Sequence, residues 1–433
     1  KWAVREATMS EKLHHPVPHG KSRPLVQRSP KLGLVNVVNS GCQQEAGCRD
    51  IVALDGGGEH GADSHGGVDR RCDLGVRAAY ECSPGCPGRC ASRAGPAPPP
   101  AGGTAPVIAV LALNEGTETT DFLVPHAVLQ MAQVGVVDAV APSAGAVPLM
   151  PALQVEVPRS FAAFESVYTQ GADIVVVPAL HTEDDPAVLV WLQAQAAKGA
   201  VVVGICSGAR VLGRAGLLDG RRFAGHWYDR STLLRRHAGA VHVPGQRYVA
   251  DGPVVTTTGV SASLPVSLAL VETLAGAERA RAVASALGMP SWGPAHRSER
   301  FGLSLAHVGT LSVNTLLFWR HERIDIPVMD GVDDVALALA ADAWSRTYRS
   351  RAEAVNALAS PVHLRSGLVL RAAPPDAPAT TVLLDSGMHP ACVLDHSLQM
   401  IGQRYGAATR QWVATQLEYE DPVVRCGAAG PSP

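Results

Sequence analysis

The chain has 433 residues, 46% of them apolar, and a formal net charge of −2. That is enough apolar side chain for a sizeable core and for two domains, while the near-neutral balance supplies no general attraction to nucleic acid or an anionic membrane. No apolar run approaches the roughly 18–20 residues needed to span a bilayer, and the N-terminus lacks the apolar segment of a secretory signal, so the expected location is the cytoplasm.

Residues 1–104 differ from everything after them. They hold six of the nine cysteines and four of the five lysines, but no phenylalanine. The stretch is glycine-dense and closes on Gly95-Pro96-Ala97-Pro98-Pro99-Pro100. Such a composition cannot bury enough surface to offset backbone entropy, so it reads as a disordered leader ending in a stiff linker. Its cysteines, Cys42, Cys48, Cys72, Cys82, Cys86 and Cys90, lack the paired spacing of a structural zinc site. No metal or other cofactor is expected. A leader that is not a natural part of the protein is also consistent with the abrupt change of composition.

Residues 105–290 alternate strand and helix. Runs rich in β-branched residues predict strands near 106–113, 136–141, 172–178, 200–205 and 253–258. Helical patterns predict helices near 121–133, 186–198, 207–216, 228–238, 262–275 and 278–287. This alternation implies an α/β fold with a parallel sheet and right-handed crossovers.

The segment Val201–Trp227 is the richest in chemistry. Four apolar residues, Ala200 to Val203, lead into Gly204-Ile205-Cys206-Ser207-Gly208, and a helix follows at once. This is the pattern of a nucleophile elbow, where a strained strand-to-helix turn lifts one side chain above the sheet. A helix N-terminus favours the thiolate of a cysteine placed there. Cys206 is therefore the candidate nucleophile, set against its bland reading as a small buried hydrophobe. His226 follows after a turn, placed to return an imidazole to the thiol. Ligands of open parallel sheets bind at the carboxyl ends of the strands, where Cys206, Ala179 and the loop 114–121 converge.

GICSGARVLGRAGLLDGRRFAGHW resembles the cysteine-elbow segment of the ThiJ/PfpI superfamily, whose fold is flavodoxin-like and shared with class I glutamine amidotransferases. The likeness covers about residues 105–290 and is strongest to the domain found in some AraC-type transcription regulators. Pro106–Asn114, Asp121 to Pro125, Ala172–Pro178 and Asp251–Val271 resemble its other landmarks, in the family's order. The resemblance implies an acid beside the thiol: Asp121 by position, with Glu118 one helical turn earlier as a secondary candidate. It also implies an oxyanion site of backbone N–H groups from Ser207 and from Ala179 and Leu180. Here Val177-Pro178-Ala179-Leu180 replaces the family's glycine-rich ending, which leaves the pocket's shape open. His181 is a secondary candidate at the mouth, read more simply as an exposed loop histidine. The closing segment Ser261–Pro265 lacks the acidic residue common in the regulator branch, so no Cys-His-Asp triad is assigned.

Residues 291–433 are expected to form a mostly helical extension of unknown function, with Asp333–Arg351 as one helix and Leu394–Leu417 as another. Residues 300–433 hold 11 Arg against 13 Asp plus Glu, which disfavours DNA as a partner. Arg346, Arg349 and Arg351 read as solvated charges at a helix end. The expected function is cysteine-dependent hydrolysis or hydration of a small molecule, such as the isonitrile hydration the resemblance permits. The alternatives are a ligand-sensing relative of AraC-type regulators and a redox- or stress-responsive cysteine protein. No membrane partner is expected, and the resemblance allows a homodimer.

Overall fold

A computed structural model describes residues 105–420 apart from 359, 377 and 378. The leader and its cysteines lie outside the described residues.

The chain opens with β1 (Val107–Leu111), followed by the short β2 (Thr117–Glu118) and helix α1 (Thr119–Ala132). Glu118 caps α1, accepting from the N–H of Asp121. The helix starts two residues earlier than its pattern suggests, with Pro125 inside it. Next come β3 (Val136–Ala141), the hairpin β4 (Gly145–Met150) and β5 (Gln154–Val157), β6 (Arg159–Ser160) and α2 (Phe161–Val167). Then β7 (Ile174–Val177), α3 (Pro186–Ala197), β8 (Val201–Gly204) and α4 (Gly208–Arg214) form the classical alternation expected of a parallel sheet.

The remainder of this unit is β9 (Arg222–Phe223), α5 (Arg230–Arg236), β10 (Val241–His242), β11 (Tyr248–Asp251), β12 (Val254–Thr257) and the long α6 (Ser263–Leu287). The main sheet has seven strands in the order β11-β12-β8-β7-β1-β3-β6, all parallel except β11. Its central strands are buried on both faces. Val110, Val176, Val203 and Val255 join the core on the α1 and α6 side, and Leu111, Val175, Val177 and Val202 join the one under α3 and α4. This is the α/β sandwich expected from the sequence.

Val260–Leu287 is long and apolar enough to cross a membrane by length and composition, yet 56% of its most apolar window is buried in the fold. Its backbone breaks at Gly276, with φ 83° and ψ 167°. The segment packs on α1 as a core helix of the domain.

Beyond residue 290 helix is the main regular structure, as expected, with α7 (Leu305–Leu316), α8 (Asp334–Ser345), α9 (Cys392–Tyr405) and α10 (Ala407–Leu417). It also holds strands absent from the sequence reading: β13 (Glu322–Pro327), β14 (Ser350–Val355), β15 (Val362–His363), β16 (Val369–Leu370) and β17 (Thr380–Thr381). The helix expected over 333–351 stops at Ser345 because Thr347 diverts the backbone. Its hydroxyl accepts from the N–H groups of Arg349 and Ser350, at 3.1 and 3.0 Å, and Tyr348 takes φ 59°. The helix expected over 394–417 is two helices, separated at Gly406 (φ 90°).

Candidate active site

Cys206 lies in the turn just after β8, in the left-handed region at φ 53°. A non-glycine residue held there stores strain, of order 1–2 kcal/mol. Its N–H donates to Thr257 Oγ1 at 3.0 Å, tying the turn to the neighbouring strand β12. Gly208 lets α4 approach β7: a Cβ on Gly208 would stand 2.1 Å from the Val177 carbonyl oxygen. The elbow expected from the sequence is therefore present, and Cys206 is a free thiol, 6% exposed.

Asp121 is fully buried in the first turn of α1. Its Oδ2 accepts from the Ala179 N–H at 3.4 Å and its Oδ1 from Ser263 Oγ at 3.2 Å. Burial is the main influence on its carboxyl, which is pushed up to about 7 although the Ala179 N–H and Arg346 oppose that rise. Glu118 is also buried and held well above the ordinary carboxyl range, first by desolvation and then by Asp342 and Asp121. Both acids singled out in the sequence stand close enough to Cys206 to act on its thiol electrostatically.

The thiol departs from expectation. Desolvation first, then Asp121, Asp229 and Glu118, push it well above its usual range, against an opposing pull from Arg346. The direction is opposite to the one expected from the helix N-terminus and favours a protonated resting thiol over a thiolate.

His226 does not return to the thiol. Its Nδ1 accepts from the Tyr228 N–H at 3.3 Å, which leaves Nε2 to donate to the Gln416 carbonyl at 3.1 Å. Both ring nitrogens are engaged with backbone, and the imidazole is a structural tie to α10. His181 is exposed on its loop, in line with the simpler of its two readings.

Of the three expected oxyanion donors, Ala179 is corrected: its N–H points at Asp121. The Ser207 hydroxyl donates to Asp229, which also pairs with Arg210. Among the described residues no acceptor takes the N–H of Ser207 or Leu180.

The sequence reading missed Arg346 and Asp342. Arg346 is not a solvated helix-end charge: its side chain is 15% exposed, with Nη2 donating to Glu118 Oε1 and Nε to Asp342 Oδ1, each at 2.6 Å. Asp342 also accepts from Thr120 Oγ1 at 3.0 Å. Burial works against the guanidinium's charge, but Asp342 and Glu118 outweigh it and keep it protonated. The site thus gathers one thiol, three carboxyl groups and one guanidinium around the N-terminal end of α1. Such a set can move a proton between sulfur and oxygen without an external base.

Residues 107–273 match the DJ-1/PfpI family. The chain carries a DJ-1/PfpI domain. Relatives of that domain include the isonitrile hydratase of Pseudomonas putida, 36% identical over 100 residues, which span 23% of this chain and 42% of that protein. The HTH-type transcriptional regulator CdhR of Pseudomonas aeruginosa is 35% identical over 86 residues, 20% of this chain and 25% of the regulator. The chain therefore covers less than half the length of either relative. Among solved structures, Drosophila melanogaster DJ-1beta aligns with 23% identity and a TM-score of 0.39, covering 43% of this chain and 99% of that one. The DJ-1/PfpI match ends before β13, so Arg346 and Asp342 lie outside it.

Proposed function

We propose that the protein is a cysteine-dependent enzyme that adds water to, or hydrolyses, a small molecule with an electrophilic carbon. Cys206 is the nucleophile and Asp121 the proton carrier. The observation that carries this reading is the strained, positive-φ Cys206 within electrostatic reach of a buried Asp121 whose carboxyl sits at about 7. At neutral pH such a carboxyl can both take and return a proton.

In the first step the sulfur bonds to the substrate carbon while the thiol proton passes through the Asp121 carboxylate to the substrate. The Ser207 and Leu180 N–H groups hold developing negative charge. In the second step water adds to the same carbon, the C–S bond breaks, and a proton returns to sulfur. The sum is addition of one water molecule, with no oxidant or reductant required. An isonitrile carbon is a suitable centre, and the alignment with the P. putida hydratase supports it as the first substrate to try.

The redox-sensor alternative asks for a low-lying thiolate, which burial and three nearby carboxyl groups oppose. DNA as a partner gains nothing from the three arginines considered in the sequence. Arg346 is buried in the site, Arg349 lies over the Tyr405 ring, and Arg351 is beside Glu353. The test is product formation from cyclohexyl isonitrile. The wild-type chain is expected to form N-cyclohexylformamide and Cys206→Ser to form none; equal rates from both would end this reading.

A further inference from the structure

The second half of the chain repeats the geometry of the first. Glu118 caps α1 by accepting from Asp121 N–H, and Asp333 caps α8 by accepting from Ala336 N–H. These positions are 215 apart, and the same interval recurs. Gln133 and Tyr348, just beyond the two helices, have φ 51° and 59°. Thr117 pairs in parallel with Leu149, as Val332 does with Leu364. Leu149 N–H donates to the Leu153 carbonyl at 3.0 Å, and Leu364 N–H to the Leu368 carbonyl at 2.8 Å. Each half also has a central strand, β1 or β13, flanked by two parallel partners.

A second interval, 130, relates the last helices. Gly276 (φ 83°, ψ 167°) matches Gly406 (φ 90°, ψ 161°), and left-handed Gly288 matches left-handed Glu418. Met289 N–H donates to the Ala284 carbonyl at 2.8 Å, and Tyr419 N–H to the Ala414 carbonyl at 2.9 Å. The interval shrinks mainly because residues 178–262, which carry the elbow and β8 to β12, correspond to only residues 382–391 in the second half.

The halves meet around a local two-fold axis. In the antiparallel pairing of β5 with β16, Val155 faces Leu370, its own counterpart 215 residues on. Helix α1 packs on its counterpart α8, where Thr120 donates to Asp342. Such self-complementary contact is what a two-fold dimer makes between separate chains.

The charges, however, are divided. Asp121 corresponds to Ala336, while Asp342 and Arg346 correspond to Ala127 and Met131. The first half carries the thiol and Asp121; the second carries the cation.

We propose that residues 322–420 are an abridged second copy of the fold, without a cysteine elbow, that acts as a built-in partner subunit and sets Arg346 beside Glu118 as a positioning group for the Cys206 site. The assignment of the repeat stands on geometry alone, and the role of Arg346 rests on Cys206 being the reactive thiol. The groups facing that thiol are Asp121 and Glu118 at the start of α1, Asp229 before α5, and Arg346 after α8. Arg346 itself faces Glu118 and Asp342, and Tyr348 lies near it. Among the described residues it is the main cation acting on the thiol, and it favours the thiolate.

The test uses full-length protein, with iodoacetamide as the probe and peptide mass mapping of Cys206. Arg346→Met, which installs the first copy's residue, is expected to slow alkylation at pH 8.5 by about tenfold, the effect of a one-unit rise in the thiol. Arg346→Lys is expected to recover most of the rate. A folded Arg346→Met alkylated at the wild-type rate would overturn the positioning role. Should Arg346→Met not fold, the double variant Val155→Cys/Leu370→Cys tests the axis, since antiparallel partners suit a disulfide. Oxidation is expected to link the two within one chain; a linked dimer, or no link, would overturn the built-in subunit. Failure of isonitrile turnover with these results intact would remove the proposed substrate class and leave this inference standing.

Discussion

Arg346 donates to Glu118 across 2.6 Å although the two residues are 228 positions apart. The pair ties the turn after α8 to the cap of α1, and through α1 to Asp121. A cation on one copy therefore fixes the acids on the other, and stability and site chemistry share this contact.

Removing that cation strands Glu118 and Asp342 in a buried setting. Arg346→Ala is expected to cost about 3 kcal/mol, the scale for breaking a buried ion pair. The loss should be smaller at pH 5 than at pH 8, because unpaired carboxylates can then take up protons. Chemical denaturation at the two pH values measures it; an equal loss at both would contradict the buried-pair account.

Asp121 makes its own pH prediction. Its carboxyl sits at about 7 in the fold, against 3.8 ordinarily. Between these values the folded state binds more protons than the unfolded one, so this group's contribution to stability falls as pH rises from about 4 through 7. Asp121→Asn should flatten the fall between pH 5 and 8 relative to wild type. The comparison of the two proteins cancels Asp334, raised to about 6, and His126, lowered to about 4. Parallel pH curves would show that Asp121 is not perturbed.

Gly208→Ala should be severe for a steric reason. The added methyl would meet the Val177 carbonyl at 2.1 Å and force α4 away from the sheet. A cost of about 2–3 kcal/mol follows from overpacking of this kind, together with loss of Cys206 reactivity. Thermal unfolding and alkylation should both register the change; a neutral result would refute the close approach.

Glu418 tests the far contact between the copies. It is buried and accepts from the N–H groups of Trp227 and Gly259, at 2.6 and 2.8 Å, with His296 Nε2 3.4 Å away. Burial alone would raise this carboxyl, but those donors and His226 hold it below the usual range. Glu418→Ala leaves two buried donors unsatisfied and should cost about 2–3 kcal/mol. Hydrogen exchange should rise selectively at Trp227 and Gly259; unchanged protection would argue against the contact.

The strands and the elbow were legible because local chemistry dictates them. Ile174–Val177 and Val201–Gly204 are apolar runs that suit a sheet buried on both faces, and Gly204-Ile205-Cys206-Ser207-Gly208 can adopt few turns. Asp121 was found because its place before Pro125 follows the family pattern. The rest depends on long-range contact. Ser350–Val355 continues an alanine-rich helical pattern, and its pairing with β13 makes it a strand. Nothing in residues 345–351 marks Arg346 as buried. The signal lay farther off, in the recurrence of Gly116-Thr117-Glu118 as Gly331-Val332-Asp333. His226 was misplaced because sequence spacing does not reveal that α10 returns to occupy its ring.

The central claim is that Cys206 attacks carbon with help from Asp121. The most direct measurement is the intact mass of the protein, with mapping of the modified residue, after exposure at pH 7 to cyclohexyl isonitrile and a panel of small nitriles and thioesters. At least one electrophile is expected to give either an adduct on Cys206 or turnover, lost in Cys206→Ser and strongly slowed in Asp121→Asn. A free, unmodified Cys206 with no dependence of any reaction on that residue across the panel would contradict the account.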